Sequence, residues 1–276
     1  MTSLLLTATL LATTNATATV AESDTSWDQD SVWYDGLVEK TTYEASRVIY
    51  GSPRSFEATF LTNKEQHETA TWTKATGRSG ETVEVWKHNQ IEVVPTPNYD
   101  YKFTTTSHLT VDGLELTRVD MSESEWCGTT FTQYIKSDNG YDYFSFGYMP
   151  GEGRRTGTVE AADVVPADVV PVNALPLYLR DFDFEAGGEV AVTLLPDQKS
   201  NRLQPWEPVA GTIRYVGEVD DGHELEVFAG DRLLGTYVMA DRDRLHVMVS
   251  YESADGTQTY ELKTQERVDY WTVPGR

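Results

Sequence analysis

Cysteine is almost absent from this chain, which has only Cys127. A single cysteine cannot form an internal disulfide, so the sequence excludes disulfide-stapled folds, and the cysteine count does not indicate a cell compartment. The residue stands in the stretch SESEWCGTTF (122–131), and none of the five histidines forms a local signature with it. As a thiol nucleophile it would need a histidine from a distant part of the sequence as its base, so Cys127 is a weak catalytic candidate. Free cysteine is more often a small buried side chain, and we expect Cys127 to be buried.

Positive charge is also scarce. There are 44 acidic residues against 22 basic ones, which makes the net charge −22. Such a surface repels phosphate backbones and anionic lipid headgroups, so we expect no nucleic acid partner. The acidic residues are spread along the whole chain, as in proteins that stay soluble at high salt, where self-repulsion is screened. A salt-loving source is therefore a hypothesis.

Long hydrophobic runs are missing as well. The apolar run at residues 4–12 is too short to span a bilayer, so no transmembrane segment is predicted. Small residues follow it, and Ala16-Thr17-Ala18 matches a signal peptidase pattern, although a positively charged start is absent. We predict a signal peptide at 1–21 and a disordered linker at 22–31, with a frayed tail as the alternative. The expected location is exported, either periplasmic or associated with the cell envelope.

Motifs for metals, cofactors and nucleophilic catalysis are not found. The chain has no H-x-x-x-H, H-x-x-E-H, C-x-x-C, G-x-G-x-x-G or G-x-S-x-G pattern. The stretch DNGYD (138–142) carries oxygen ligands but lacks the acidic residue that closes a calcium loop, and it is more typical of a hairpin turn. We therefore predict no metal site and no cofactor.

What the sequence does contain is alternation of polar and apolar residues, which indicates β-strands. Segments with this pattern, separated by Asp- and Gly-rich turns, are 32–51, 55–63, 67–75, 82–94, 99–111, 114–126, 128–136, 141–149, 211–219, 223–229, 232–240, 244–252 and 258–272. The alternation changes phase within 114–126, which predicts a β-bulge near Thr117–Arg118. So many strands must curl or close. The predicted fold is all-β: a large curled antiparallel meander sheet or a partly open β-barrel.

The domain organisation follows from a change in composition at the centre of the chain. An N-terminal β-half at 32–149 is followed by a Pro/Ala/Val-rich connector at 150–172. The region 173–276 then supplies one short helix near 173–182, with Asn173 as a possible N-cap, and the C-terminal β-meander. We predict that the two β-halves form one domain.

Aromatic residues make up 11% of the chain. The candidates for ligand binding are Trp126, Tyr143, Phe144 and Phe146, which lie within or beside strands. One explanation is a thick aromatic core between the layers of the sheet. The other is an apolar cavity inside the curled sheet, as in small barrels that hold one ligand.

Five stretches of the sequence carry a family resemblance, and they occur in a characteristic order. They are WYDGLVEKTTYEASRVIYG (33–51), SFEATFLTN, PTPNYDYKFTTTSHL, EWCGTTFTQ and NALPLYLRDFDF. The chain resembles the uncharacterised exported β-rich proteins of Bacteroidetes-type bacteria over about residues 32–272, and its C-terminal meander is similar to a periplasmic domain of unknown function. The resemblance implies an envelope location and a curved antiparallel sheet, and it brings no catalytic residues. Proteins of this kind are sometimes labelled septum formation inhibitor Maf. True Maf proteins resemble α/β nucleotide pyrophosphatases with an early Ser-x-x-Arg motif, and this chain has neither feature.

The functional expectation combines these points. We expect a non-enzymatic exported protein of the cell envelope that binds an apolar or lipid-like ligand, or a protein partner, on its curled sheet. A hydrolase or thiol enzyme that uses Cys127 with a distant histidine is one alternative. A purely structural envelope protein is the other.

Overall fold

The computed structural model describes residues 26–77, 80–164, 168–198, 200–269 and 271–272, so the predicted signal peptide at 1–21 lies outside the described residues. Strands dominate the described part of the chain. They are β1 (Val38–Ile49), β2 (Ser52–Glu68), β3 (Thr73–Lys74), β4 (Thr82–Pro95), β5 (Asp100–Thr110), β6 (Leu116–Glu125), β7 (Gly128–Ser137), β8 (Gly140–Gly147), β9 (Gly153–Glu160), β10 (Val169–Pro171), β11 (Glu189–Leu195), β12 (Val209–Val219), β13 (Gly222–Ala229), β14 (Arg232–Met239), β15 (Met248–Ser253) and β16 (Gln258–Val268).

These strands form one sheet in which neighbours in sequence are mostly neighbours in space. The order is β10-β11-β12-β13-β14-β15-β16-β1-β2-β4-β5-β6-β7-β8-β9, and β3 pairs with β2 outside this path. Among the described strands, only β10 and β11 pair in parallel. The antiparallel pair of β16 and β1 joins the C-terminal meander to the N-terminal one. The predicted all-β fold, with a large curled antiparallel meander, is therefore confirmed.

The sheet curls so far that one of its edges packs against the inner face of the same sheet. Strand β10, at one edge, packs against β6. Apolar side chains from both regions share one core cluster, which includes Val119, Tyr134 and Val169. A second, larger cluster lies under β1, β2 and the C-terminal strands. Rolling gives both faces of β10 a partner, so all three of its residues are buried, and it removes from water apolar surface that an open sheet would expose.

The interior of the rolled sheet is filled. The cavity between Phe60, Tyr237 and Tyr260 has a volume of about 30 Å³, which is room for about one water molecule. Of the two explanations for the aromatic content, the described residues fit the packed core.

The single α-helix of the described residues, α1 (Leu175–Tyr178), closes this interior. It is flanked by 3-10 turns at Val172–Ala174 and Leu179–Asp181, so the short helix predicted near 173–182 is confirmed. Leu175 and Leu177 are fully buried. Asn173 does not cap the helix, because its side-chain amide donates to the Gln90 side chain.

The segment predicted as a disordered linker differs from the expectation. A 3-10 helix at Trp27–Gln29 lies in the predicted linker. A second one, at Ser31–Tyr34, begins at the end of the linker and replaces the start of the strand predicted over 32–51. Trp27 and Trp33 are buried and pack on Trp86, with ring centroids 4.9 and 4.7 Å from the Trp86 ring. The polar composition of residues 22–31 concealed this, because the burial of two indoles outweighs the cost of ordering the polar residues around them.

Strand β6 contains a β-bulge at its start. The bulge predicted near Thr117–Arg118 is confirmed: Arg118 pairs with His108 and Leu116 with Leu109, which leaves Thr117 as the extra residue. Its hydroxyl donates to the His108 carbonyl at 3.1 Å.

The predicted connector at 150–172 contains two strands, β9 and β10, and the following strand β11 was not predicted. The last four residues of β11 are all buried, so it lacks the alternation that marks a half-exposed strand.

Candidate ligand-binding cleft

A cleft of about 800 Å³ opens where the C-terminal strands meet the segment after α1 and the N-terminal 3-10 helix. The residues that line it are Ser26, Trp27, Arg180, Asp181, Phe182, Asp183, Phe184, Glu185, Glu218, His223, Asp241, Arg242 and His246. Its volume lies within the range of about 300–1,000 Å³ that is typical of small-molecule sites. It is far larger than the space inside the rolled sheet.

Aromatic rings form the floor of the cleft, and Phe184 is at its centre. The Phe184 ring stacks on the His223 imidazole with centroids 4.2 Å apart and planes 14° apart. His246 lies 5.0 Å from the same ring, and Tyr215 lies 6.0 Å from it. The loop that carries Phe184 approaches closely because Gly187 (φ 61°) leaves space for the Tyr215 ring, which a Cβ would meet at 3.1 Å.

His223 is held between two hydrogen-bonding partners. Its Nδ1 lies 3.1 Å from the Tyr215 hydroxyl, and its Nε2 lies 3.3 Å from Asp241 Oδ1. One neutral tautomer satisfies both contacts: the tyrosine donates to Nδ1, and Nε2–H donates to the carboxylate. The imidazole plane is therefore fixed against Phe184, which makes the floor rigid.

A left-handed turn brings the second histidine into the cleft. Leu245 (φ 57°) and His246 (φ 49°) both adopt a conformation that is unfavourable for residues with side chains. The chain therefore leaves the strand that the sequence predicts over 244–252, and β15 begins only at Met248. The Ala240 carbonyl accepts a hydrogen bond from His246 Nδ1 at 3.0 Å. Burial lowers the pKa of His246, the hydrogen bond to the Ala240 carbonyl opposes this shift, and the nearby charge of Arg242 adds to it.

The rim of the cleft is acidic. The carboxyl-bearing residues of the lining are Asp181, Asp183, Glu185, Glu218 and Asp241. Its two guanidinium groups already have acidic partners: Arg180 pairs with the buried Glu39, and Arg242 lies 3.5 Å from Asp30. The carboxyl group of Asp181 accepts from the Trp27 indole at 3.2 Å. Partial burial of that group raises its pKa, and the indole hydrogen bond opposes the rise. The unneutralised charge of the lining is therefore negative.

This arrangement is suited to binding more than to covalent catalysis. A nucleophilic mechanism needs a hydroxyl or thiol in hydrogen-bond contact with a base. Both ring nitrogens of His223 are occupied by Tyr215 and Asp241, and His246 donates to a backbone carbonyl. Ser26, the hydroxyl of the lining, bonds to Asp28 instead. What remains is a rigid aromatic surface beneath carboxylates.

The structure places the weak catalytic candidate Cys127 elsewhere, in the turn between β6 and β7. The prediction that it is buried was wrong, because Cys127 is exposed. Its thiol lies 4.0 Å from the Tyr99 hydroxyl, and its backbone N–H donates to the Glu125 carboxylate. In the described part of the chain, each of the five histidines contacts a group other than Cys127, so these contacts do not supply a base for the thiol.

Trp126 precedes Cys127 in the same turn. It is 80% exposed and stacks on Tyr99, with ring centroids 5.3 Å apart. The two rings flank a surface groove of about 390 Å³. The position of the neighbouring Gly128 suggests that it allows the chain to turn, but it lies in β7 and has no positive φ. It leaves room for the Tyr148 side chain, which a Cβ would meet at 2.4 Å.

The other three candidates lie together on β8 but on opposite faces. Tyr143 is buried in the core and stacks on Trp206 at 5.4 Å. Phe144 is half-buried on the other face, with the Arg154 guanidinium 5.6 Å from its ring centroid, and Phe146 is 44% exposed. The structure therefore does not bring the four aromatic candidates into one site.

Sequence reasoning missed the cleft residues because they come from separate regions of the chain. A partial signal exists in the RDFDFE stretch (180–185), where charged and aromatic residues alternate at the end of the predicted helix. The structure places both the carboxylates and the rings of this stretch in the cleft lining. Nothing in the local sequence links it to His223 or His246.

Comparisons with known proteins identify no family for this chain. No family model matches this chain, and no curated protein matches it in sequence. Among solved structures, it is similar to a crystal structure of a β-barrel-like protein of domain of unknown function DUF1849 from Brucella abortus. The two are 10% identical, the match covers 84% of this chain and 98% of that chain, and the TM-score is 0.47. Within the described residues, no helix has both the length and the hydrophobicity needed to cross a membrane.

Proposed function

We propose that this protein is a non-enzymatic binding protein and that its cleft holds an organic cation with an apolar body. The observation that carries the proposal is the combination of the Phe184–His223 stack with a carboxylate-lined rim. A cation over an aromatic face is attracted by the ring quadrupole, by about 0.5–2 kcal/mol depending on desolvation. The carboxylates add Coulombic attraction, and they repel anionic ligands of the same size.

The order of the cleft supports binding without large rearrangement. Phe184 contacts His223, which Tyr215 and Asp241 hold from either side. A preorganised floor loses little conformational freedom when a ligand arrives, which favours affinity. The expected complex therefore keeps these ring positions.

A matched pair of probes tests this proposal. Benzyltrimethylammonium and phenylacetate are similar in size and opposite in charge, and their binding would be measured by calorimetry on the purified protein. We expect the cation to bind and the anion not to bind. Phe184→Ala should weaken cation binding by about 2- to 30-fold, and Asp241→Asn should also weaken it. Trp126→Ala, which removes an exposed aromatic ring outside the cleft, should leave the affinity unchanged. Equal binding of both probes would contradict the proposal.

The cellular setting is part of the same proposal. We infer that the protein is exported to the periplasm or the cell envelope, on the strength of the apolar run at 4–12 and the small-residue pattern after it. Fractionation of cells that express the full chain with a C-terminal tag, followed by mass spectrometry of the mature N-terminus, tests this. A cytoplasmic protein that retains residues 1–21 would refute it.

The acidic surface supports a related proposal, adaptation to high salt. The net charge of −22 implies self-repulsion that salt screens. The melting temperature should rise in molar salt, and equal stability with and without salt would count against this idea.

An apolar or lipid-like ligand, or a protein partner, remains the second candidate, and one observation favours it. Trp126 is 80% exposed and stacks on Tyr99 beside a groove. A large exposed aromatic ring that stacks on a half-buried one is typical of interaction surfaces. Incubation with lipid vesicles should then shift the fluorescence of wild type but not of Trp126→Phe. A purely structural envelope role would show neither this shift nor cation binding.

A further inference from the structure

A second cluster of chemically active side chains lies outside the cleft, on the N-terminal half of the sheet. Glu65 and His67 are alternate residues of β2, so their side chains project from the same face. His108 reaches them from β5 across β4. His67 Nε2 lies 2.9 Å from Glu65 Oε1, and His108 Nε2 lies 3.6 Å from the same oxygen.

The three side chains converge in a nearly buried position. The side chains of Glu65, His67 and His108 are 8%, 2% and 8% exposed. Their ligand atoms all lie within 4.8 Å of one another. Burial alone would raise the pKa of Glu65, but hydrogen bonds from His108 and His67 and the charges of Lys87 and Lys74 hold it well below its usual range.

We propose that Glu65, His67 and His108 form a binding site for a divalent first-row transition metal ion, with zinc as the best representative. Two imidazole nitrogens and one carboxylate oxygen suit zinc and its neighbours, whereas magnesium and calcium require oxygen ligands. Ligand atoms around a tetrahedral ion at about 2.0–2.1 Å stand roughly 3.3 Å apart. The two distances to Glu65 Oε1, 2.9 and 3.6 Å, bracket that separation. Three protein ligands leave one position for water or another ligand.

Two features limit the affinity of this site. Lys74 and Lys87 place their ammonium groups 3.3 and 3.8 Å from Glu65 Oε2, so they compete with a cation for the carboxylate. In addition, Nδ1 of both His67 and His108 is buried without a hydrogen-bond partner in the described residues. An imidazole that binds metal through Nε2 carries its proton on Nδ1, and a missing acceptor there typically costs about 10- to 100-fold in affinity. We therefore expect weaker binding than in a closed structural zinc site.

The competing explanation is an internal ion network in which Glu65 neutralises two lysines and accepts from two histidines. The lysines distinguish the two explanations. If the cluster binds metal, Lys87→Met removes a competing positive charge and should tighten binding several-fold, up to about fivefold. If the cluster is only a network, the same substitution changes stability and leaves no metal affinity to improve.

The test uses untagged, metal-free protein titrated with zinc by calorimetry, and with cobalt by visible absorption. Wild type should bind one ion at this site, and bound cobalt should give the intense d–d bands of a tetrahedral or five-coordinate site. His67→Gln and His108→Gln should each weaken binding by more than about 100-fold, because each removes a ligand. Glu68→Gln, on the same strand at a position that faces the other way, should bind as wild type does.

A measurement on the wild type covers the case in which a histidine variant fails to fold. Nitrogen NMR of the imidazole rings during zinc titration should shift the His67 and His108 resonances and leave His88 unchanged. His88 is the matched control because it is buried on β4 and bonds to Thr62. Cobalt bands of an octahedral aqua ion, or zinc shifts confined to other histidines, would overturn the proposal.

Discussion

Glu123 is a fully buried carboxyl group that has no hydrogen-bond partner among the described residues, so its effect on stability can be calculated. Its exposed fraction is 0%, and neither carboxyl oxygen has a hydrogen-bond partner in the described residues. Burial, together with the charge of Glu125, raises its pKa from 4.5 to about 7. A shift of this size corresponds to roughly 3 kcal/mol of free energy between the folded and unfolded states.

The sign of the effect follows from proton uptake. Below pH 4.5 the group is protonated in both the folded and unfolded protein, so it adds no pH dependence. Between pH 4.5 and about 7 the folded state binds more protons, so stability falls as the pH rises. Above about pH 7 the loss of stability caused by Glu123 is complete. Glu123→Gln replaces the carboxyl with a neutral group of the same shape and should remove this contribution.

The assay is urea unfolding at pH 5 and pH 8 for wild type, Glu123→Gln and the exposed control Glu160→Gln. The variant Glu123→Gln should match wild type near pH 5 and exceed its free energy of unfolding at pH 8 by roughly 2–3 kcal/mol. Glu160→Gln should follow wild type at both values, since its side chain is exposed. If Glu123→Gln loses stability between pH 5 and pH 8 as steeply as wild type, the inference of a buried, unpaired carboxyl group is refuted.

Three further predictions concern packing. Gly128→Ala should lower the free energy of unfolding by roughly 1–3 kcal/mol, because the added methyl overlaps the Tyr148 side chain from its Cβ outward. The same substitution should lower it much less in a Tyr148→Gly background, in the same urea assay, and an equal loss in both backgrounds would contradict the contact. Arg180→Met should cost roughly 3–5 kcal/mol because it leaves the buried Glu39 unpaired, and a melting temperature equal to that of wild type would exclude a buried pair. Trp27→Ala should lower the free energy of unfolding by roughly 3–5 kcal/mol, since the ring is buried. An unchanged melting temperature would mean that the N-terminal segment does not pack on the sheet.

The sheet was largely predictable because most strands have one polar and one apolar face. β6 is an instructive case, in which even the bulge at Thr117 follows from the change of phase in the alternation. β11 escaped prediction for the opposite reason: the rolled edge buries both its faces, so Val192, Thr193 and Leu194 are all buried and show no period. The parallel pairing of β10 with β11 is equally invisible in local sequence, since it depends on how far the sheet rolls.

The sites were much less predictable than the sheet. The EWCG stretch marks a tight turn, as expected, but the tip of a hairpin faces solvent, so Cys127 is exposed. The Glu65–His67 pair has a visible signal, since residues two apart on a strand share a face. Its partner His108 depends on the register of β2, β4 and β5. In the same way, Phe184 and His223 are far apart in the sequence, and their contact depends on the tertiary structure.

Binding of an organic cation in the acidic aromatic cleft is best tested by NMR titration of the wild-type protein with benzyltrimethylammonium. The ring resonances of Phe184, His223 and His246 should shift together with one saturation curve, and phenylacetate at equal concentration should leave them unchanged. Shifts that are confined to Trp126 and Tyr99, or that are equal for the two probes, would contradict it.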